Sequence, residues 1–243
     1  MPSPTVVDVW RLSLANLHGT ATHLTTCLSD TEKQRAARFV FEQDRSRFIV
    51  CRTLLRGVLA KTLNLAPEAI HFEYGKKGKP HLANKPLFFN LSHSSDQAYI
   101  VTCRDTAVGV DVERIRPPTR HTWADLAQRF FSPAEIAELN ALPNPQQSDA
   151  FFTCWTRKEA YLKLHGLGLA LPLNQFSVSV SPATPARLRA TEWNPEDVNR
   201  ASLHDLTAPT QYRACLAIAS TAPVALNTIS IHALESPPFF TAV

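Results

Sequence analysis

Apolar positions along this chain recur with two periods, and the switches between them mark its elements. Val6 to Leu14 reads as a strand. Ser29-Asp30-Thr31-Glu32 then spells a capping box, with Ser29 as N-cap and Glu32 reaching back, and opens a helix toward Phe41. Asp44 opens a second helix, Arg45 to Leu63, in which Phe48, Cys51, Leu54, Leu55, Val58 and Leu59 fall at helical spacing. Ile70 to Tyr74 is strand-like, and a Gly/Lys turn follows from Gly75 to Pro80. Two β-rich stretches come next, Pro86 to Leu91 and Gln97 to Cys103, separated by the polar run Ser92 to Asp96. Val108 to Val112 is a further short strand, closed by Pro117-Pro118.

The second half repeats this order. Ser132-Pro133-Ala134-Glu135 is another capping box, 103 residues after Ser29, and opens a helix to Leu142. Asp149 opens the helix containing Phe151 to Leu164, 105 residues after Asp44. The strand Phe176 to Val180 lies 106 residues after Ile70 to Tyr74. A Pro/Ser-rich connection then leads to a final strand pair, Tyr212 to Ser220 and Thr228 to His232. The matching offsets predict an α+β fold of two duplicated halves, residues 1–108 and 109–243, about a pseudo-twofold axis. The seam between them is the expected ligand cleft.

Composition narrows the class. With 243 residues, 44% hydrophobic and 19% charged, the chain can bury a full core. No apolar run approaches the roughly 18 residues of a membrane span, and the first residues lack a leader pattern, so a cytoplasmic monomer is expected. Five widely spaced cysteines suggest neither a disulfide framework nor a zinc knuckle. A net charge of +4 fits an anionic ligand or an acidic partner and falls short of a nucleic-acid footprint.

The candidate chemistry centres on the helix Phe151 to Leu164. Glu159 and Lys163 are four apart and share a face, with Arg157 and Lys158 adjacent in sequence. Alone, this is either a solvated surface pair or a cleft acid among cations. Gly109-Val110-Asp111-Val112-Glu113 puts two carboxylates on one face of a strand, and such close like charges call for a cation or a proton. Magnesium suits them, with Glu159 as a third ligand from the other half; two solvated acids at a strand end is the alternative. Ser92 and His93 can both donate to a phosphate. Neighbours on an extended chain point apart, which weakens a Ser/His nucleophilic pair. Lys79, fixed before Pro80, and Arg45, Arg47, Arg52 and Arg56 are candidate anion contacts or simply solvated cations.

Taken together, the segments RFIVCRTLL (Arg47 to Leu55), Gly78-Lys79-Pro80, FNLSHS (Phe89 to Ser94), GVDVE (Gly109 to Glu113), RFFS (Arg129 to Ser132) and WTRKEAYLK (Trp155 to Lys163) resemble the surfactin-type 4′-phosphopantetheinyl transferases. The resemblance implies transfer of the phosphopantetheine arm of coenzyme A to a serine of an apo acyl or peptidyl carrier protein, releasing 3′,5′-ADP. It places the magnesium-binding acids on Asp111, Glu113 and Glu159, and the catalytic pair on Glu159 and Lys163. It places coenzyme A contacts on Arg47, Arg52, Lys79, Ser92, His93 and Lys163, with Lys33 and Arg35 ambiguous, and we expect the carrier to dock along Arg114 to Gln128. The other expectations are a coenzyme A or nucleotide-binding module without catalysis, and a magnesium phosphohydrolase releasing 3′,5′-ADP from coenzyme A without a carrier.

Overall fold

The computed structural model describes residues 3–15, 24–117, 122–168 and 171–231. Eleven strands and five α-helices run through these residues in a mixed α+β order. Strands β1 (Thr5–Ser13), β4 (Phe88–Ser94), β5 (Gln97–Cys103) and β11 (Val224–Ile231) form one sheet in the order β11-β1-β5-β4. Strands β6 (Val108–Arg114), β9 (Ser202–Asp205) and β10 (Tyr212–Ile218) form a second, in the order β6-β10-β9. Two hairpins, β2 (Phe72–Tyr74) with β3 (Pro80–Leu82) and β7 (Phe176–Val178) with β8 (Leu188–Thr191), complete the strands.

Period-two alternation decides the layering. Val7 and Val9 of β1, Tyr99, Val101 and Cys103 of β5, and Val108, Val110 and Val112 of β6 point into one core between the two sheets. Trp10 and Leu12 of β1 and Ala98 and Ile100 of β5 point the other way, onto helix α2 (Glu42–Leu63). Cys215 and Ala217 of β10 share a core with helix α5 (Asn144–His165). The molecule is thus layered α2, sheet, sheet, α5. The central strands β5 and β10 are covered on both faces, which explains why they read as nearly continuous apolar runs.

Helices α1 (Asp30–Ala37) and α4 (Pro133–Asn140) begin at Ser29 and Ser132 with complete capping boxes, and α3 (Trp123–Phe130) begins the same way at Thr122. The long helices start earlier than expected. Helix α2 begins at Glu42 rather than near Asp44, and α5 begins at Asn144, leaving Asp149 inside it. Neither start carries a side-chain cap, so neither leaves the usual signal.

Three strand expectations change. Ser92, His93 and Ser94 belong to β4, and the turn is only Ser95-Asp96, with Ser95 at φ 49. The supposed connection after Val180 holds β8 and β9. The last two strands do not pair: β10 joins β6 and β9, while β11 crosses back to lie parallel to β1 in the sheet of the first half. His232, expected at the end of the last strand, lies outside the described residues.

One device recurs in both halves. Glu32 in α1 accepts from the Ser29 N–H and from Arg56 Nε at 2.8 Å, and Arg56 also donates to the carbonyls of Pro67 and Ile70. Glu135 in α4 accepts from the Ser132 N–H and from Lys158 Nζ at 2.7 Å, and Lys158 also donates to Phe176 O. Each buried pair locks a capped short helix to the long helix that follows.

Candidate active site

Helix α5 is anchored on its apolar side by rings. Phe151 stacks on Trp123 and Phe131, at centroid distances of 4.7 and 5.1 Å, and Trp155 meets Phe130 edge-on. Arg157 and Lys158, expected beside Glu159, are instead fully buried away from it. Arg157 is held by Asp205, by the carbonyls of Ser179, Ser181 and Thr184, and by the Ser179 hydroxyl. Lys158 pairs with Glu135. Helical geometry turns these two cations off the Glu159–Lys163 face, so only Lys163 shares the site with the acid.

Strand β6 reaches α5 through Gly109. A Cβ there would sit 2.3 Å from Ala160 O and from Leu164 N, so only glycine allows this approach. Two residues on, Asp111 comes within 2.6 Å of Lys163 Nζ. The end of α5 is clasped from outside by Lys79, whose Nζ donates to the carbonyls of Val108, Lys163 and Leu164 at 2.6 to 3.0 Å. Its methylenes lie against Gly166, the left-handed C-cap of the helix. Burial first, and Lys85 second, lower the Lys79 pKa to about 8. With three donors on three carbonyls, Lys79 clasps the helix terminus.

The three acids form one electrostatic group. Asp111 is buried and receives Lys163 Nζ and the Ser92 hydroxyl on Oδ1, while its Oδ2 is buried without a partner. Burial raises the Asp111 pKa against the pull of Lys163. Burial, then Asp111, raises Glu113, whose Oε2 accepts from Ser94 at 2.7 Å. Burial, then Asp111, pushes Glu159 up to about 7. Among the described residues no set of three His, Cys, Asp or Glu side chains is already spaced around a metal ion, and Lys163 stands against Asp111. The donor chemistry still fits a hard cation. Burial raises all three carboxylates, Asp111 adds to it for Glu113 and Glu159, and the orphaned Oδ2 lacks a partner that a divalent ion would supply.

On the other side of β4 lies a cavity of about 350 Å³. Arg35, Arg47, Arg52, His93 and Asn90, with one acid, Asp44, paired to Arg47, supply its polar wall, and Phe48, Tyr74, Gly78 and Pro80 are part of the remainder. Arg52 is sandwiched, with its guanidinium carbon 5.8 Å from the Phe48 ring centre and 4.8 Å from that of Phe72. Its NH1 is buried and without a partner. Burial, with the charges of Arg47 and Lys163 adding to it, lowers the His93 pKa. Of the two ambiguous early cations, Arg35 lines the cavity, while Lys33 makes an exposed pair with Asp30.

Alternation along β4 therefore separates the neighbours Ser92 and His93. Ser92 faces the acids, where it donates to Asp111 and accepts from Lys163, and His93 faces the cavity. This placement weighs against a Ser/His nucleophilic pair, with the Ser92 hydroxyl bonded to Asp111 and Lys163. Sequence reasoning missed Asn90, Ser94, Phe39 and Tyr74 at the site; period-two spacing with Ser92 along β4 was the available signal for Asn90 and Ser94. Of the expected docking tract, residues 118–121 lie outside the described residues, and Arg114 and Arg116 at its start are exposed.

Known proteins are similar to this chain. A family model described as the 4′-phosphopantetheinyl transferase superfamily matches residues 107–217, and one described as 4′-phosphopantetheinyl transferase, N-terminal, matches residues 15–105. The 4′-phosphopantetheinyl transferase HetI of Nostoc sp. is 38% identical over 193 residues, covering 77% of this chain and 80% of the relative. A 4′-phosphopantetheinyl transferase of Bacillus subtilis is 36% identical over 162 residues, covering 66% and 70%. The Sfp enzyme of Bacillus subtilis strain 168 is 32% identical over 153 residues, covering 62% and 66%. The two matched models divide between β5 and β6, and with a relative this similar over four-fifths of its length the chain belongs to the 4′-phosphopantetheinyl transferase superfamily.

Proposed function

We propose that this enzyme moves the 4′-phosphopantetheine arm of coenzyme A onto a serine of an apo acyl or peptidyl carrier protein, and that the cavity and the acid group bind two ends of one coenzyme A molecule. The observation that carries this reading is the back-to-back placement of His93 and Ser92 on β4, which sets a cationic cavity beside three mutually repelling acids. Phosphates on the nucleotide end match Arg35, Arg47, Arg52 and His93. The pyrophosphate then lies toward Lys163, which uses two donors on Asp111 and Ser92 and has a third for a phosphate oxygen.

In the reaction the carrier serine Oγ bonds to the β-phosphorus, and the bond from that phosphorus to the bridging oxygen breaks. The bridging oxygen leaves with its electron pair as part of 3′,5′-ADP. Glu159 takes the serine proton as general base. Lys163 stabilises charge on the phosphoryl oxygens. Asp111, Glu113 and Glu159 would hold magnesium, which supplies neutralisation of the pyrophosphate charge when bound.

Residues 1–108 and 109–243 are proposed as duplicated halves, each contributing to the site, so that one chain suffices as a monomer. The exposed Arg114 and Arg116 suit an acidic carrier. Among the described residues no helix is long and apolar enough to cross a membrane. The test is incubation with magnesium, coenzyme A and several apo carriers, followed by intact mass. A carrier gaining one phosphopantetheine arm supports the reading. Release of 3′,5′-ADP without a carrier would favour a phosphohydrolase, and binding without either product a non-catalytic module.

A further inference from the structure

Three side chains on one edge of β4 take the place of backbone groups in joining the two sheets. Asn90 Oδ1 accepts from Val110 N at 2.9 Å, Ser92 Oγ from Val112 N at 3.3 Å, and Ser94 Oγ from Arg114 N at 3.2 Å. Positions two apart on β4 thus meet positions two apart on β6, and the pattern keeps the strands in register across the seam. Asn90 lies opposite the stretch that holds Gly109 and has no acid to serve. The two serines pass their bond on: Ser92 donates to Asp111 Oδ1 at 3.0 Å, and Ser94 donates to Glu113 Oε2 at 2.7 Å.

The two acids are not equally secured. Asp111 is short, buried and held by both Lys163 and Ser92. Glu113 has one more rotatable bond and is only half-buried, and it is repelled by Asp111. Ser94 is the group that ties its carboxylate to the seam, because one oxygen both receives the Arg114 N–H and donates to Glu113.

We propose that Ser94 is a positioning residue for the transfer reaction: its hydroxyl, fixed by Arg114 N–H, holds the Glu113 carboxylate beside Asp111 so that the two acids present a ready pair to a divalent cation. This rests on the reading of Asp111, Glu113 and Glu159 as the magnesium-binding acids. Groups that orient a ligating carboxylate are typically worth ten- to a hundredfold in metal affinity.

The test is calorimetric titration of magnesium into the protein saturated with coenzyme A, for the parent, Ser94→Ala and Ser94→Thr. The alanine variant is expected to need about tenfold more magnesium at half-saturation. At saturating magnesium its KM for coenzyme A should match the parent, and the threonine variant, which keeps the hydroxyl, should lie within about twofold of the parent. Ser94→Cys keeps the volume with a weaker donor, so an intermediate midpoint is expected, and it carries the test if the alanine variant does not fold. A purely structural seam would lower the melting temperature of Ser94→Ala and leave the magnesium midpoint in place, which overturns the proposal. A parent that binds no magnesium with coenzyme A present removes the metal reading and this proposal together. A parent that binds it, with an alanine variant that binds it equally well, removes this proposal alone.

Discussion

Gly109 and Leu164 meet backbone against backbone: a Cβ on Gly109 would stand 2.3 Å from the Leu164 nitrogen and 2.8 Å from its Cα. That contact sets the distance between β6 and α5, and with it the distance from Asp111 to Lys163. Gly109→Ala cannot be relieved by turning a side chain, because both obstacles are main chain. It should cost roughly 3 kcal/mol or more, at the upper end of overpacking effects. Urea denaturation would measure this. A loss under about 1 kcal/mol would show that the helix can back away from the strand.

Glu159 links stability to pH and to magnesium. Its folded pKa of about 7 lies above the ordinary 4.5. The folded protein therefore gains from this group fully below pH 4.5, and that gain is lost as the pH rises through about 7. Magnesium stabilises the ionised carboxylate that burial and Asp111 disfavour, so it should lift the melting temperature strongly at pH 8 and little at pH 5. Glu159→Gln should abolish transfer and flatten the pH dependence while keeping the fold. Equal magnesium stabilisation at both pH values would argue against the acid group as its site.

How much of this was legible in the sequence depended on whether a position left a local mark. The capping boxes at Ser29 and Ser132 did, because a hydroxyl and a carboxylate three residues apart serve the same helix end. The starts of α2 and α5 did not, since Phe41 and Pro143 make no side-chain cap. The run Ser92 to Ser94 looked like a turn because its residues are polar. It pairs as a strand with Gln97 to Tyr99, and its polar side chains are explained by Val112 and Arg114, about 20 residues later, whose N–H groups those hydroxyls satisfy. The same limit applied to Arg157 and Lys158. Burial of a cation is decided by distant partners such as Asp205 and Glu135, and no periodicity announces it.

His93 should give coenzyme A binding a pH dependence of definite sign. Burial and the charges of Arg47 and Lys163 hold its pKa below the ordinary value, and a phosphate in the cavity would raise it. A ligand that raises a pKa binds more tightly to the protonated form, so affinity should increase as the pH falls through the titration. Each unit of rise corresponds to about tenfold in affinity at the acidic limit. Calorimetry from pH 5.5 to 8 should show this slope and uptake of a proton on binding, and His93→Ala should remove both. A slope unchanged in that variant would assign the titration to another group.

The two buried pairs, Glu32 with Arg56 and Glu135 with Lys158, use one arrangement for different ends. Removing one partner from a buried pair leaves an uncompensated charge and typically costs 3–5 kcal/mol. Lys158→Met should therefore lower stability by roughly that amount, since its partner Glu135 is also fully buried. Transfer at temperatures below its melting point should keep the parent KM for coenzyme A. Glu32→Gln should behave differently. Its Oε1 also lies 3.5 Å from Arg52 Nε, and Arg52 lines the cavity between Phe48 and Phe72. Loss of that charge should both destabilise the fold and raise the KM for coenzyme A, because the guanidinium then keeps its stacking and loses its anchor. Melting curves and initial rates on the two variants separate these effects. A Glu32→Gln protein with reduced stability and an unchanged KM would show that the aromatic sandwich alone fixes Arg52.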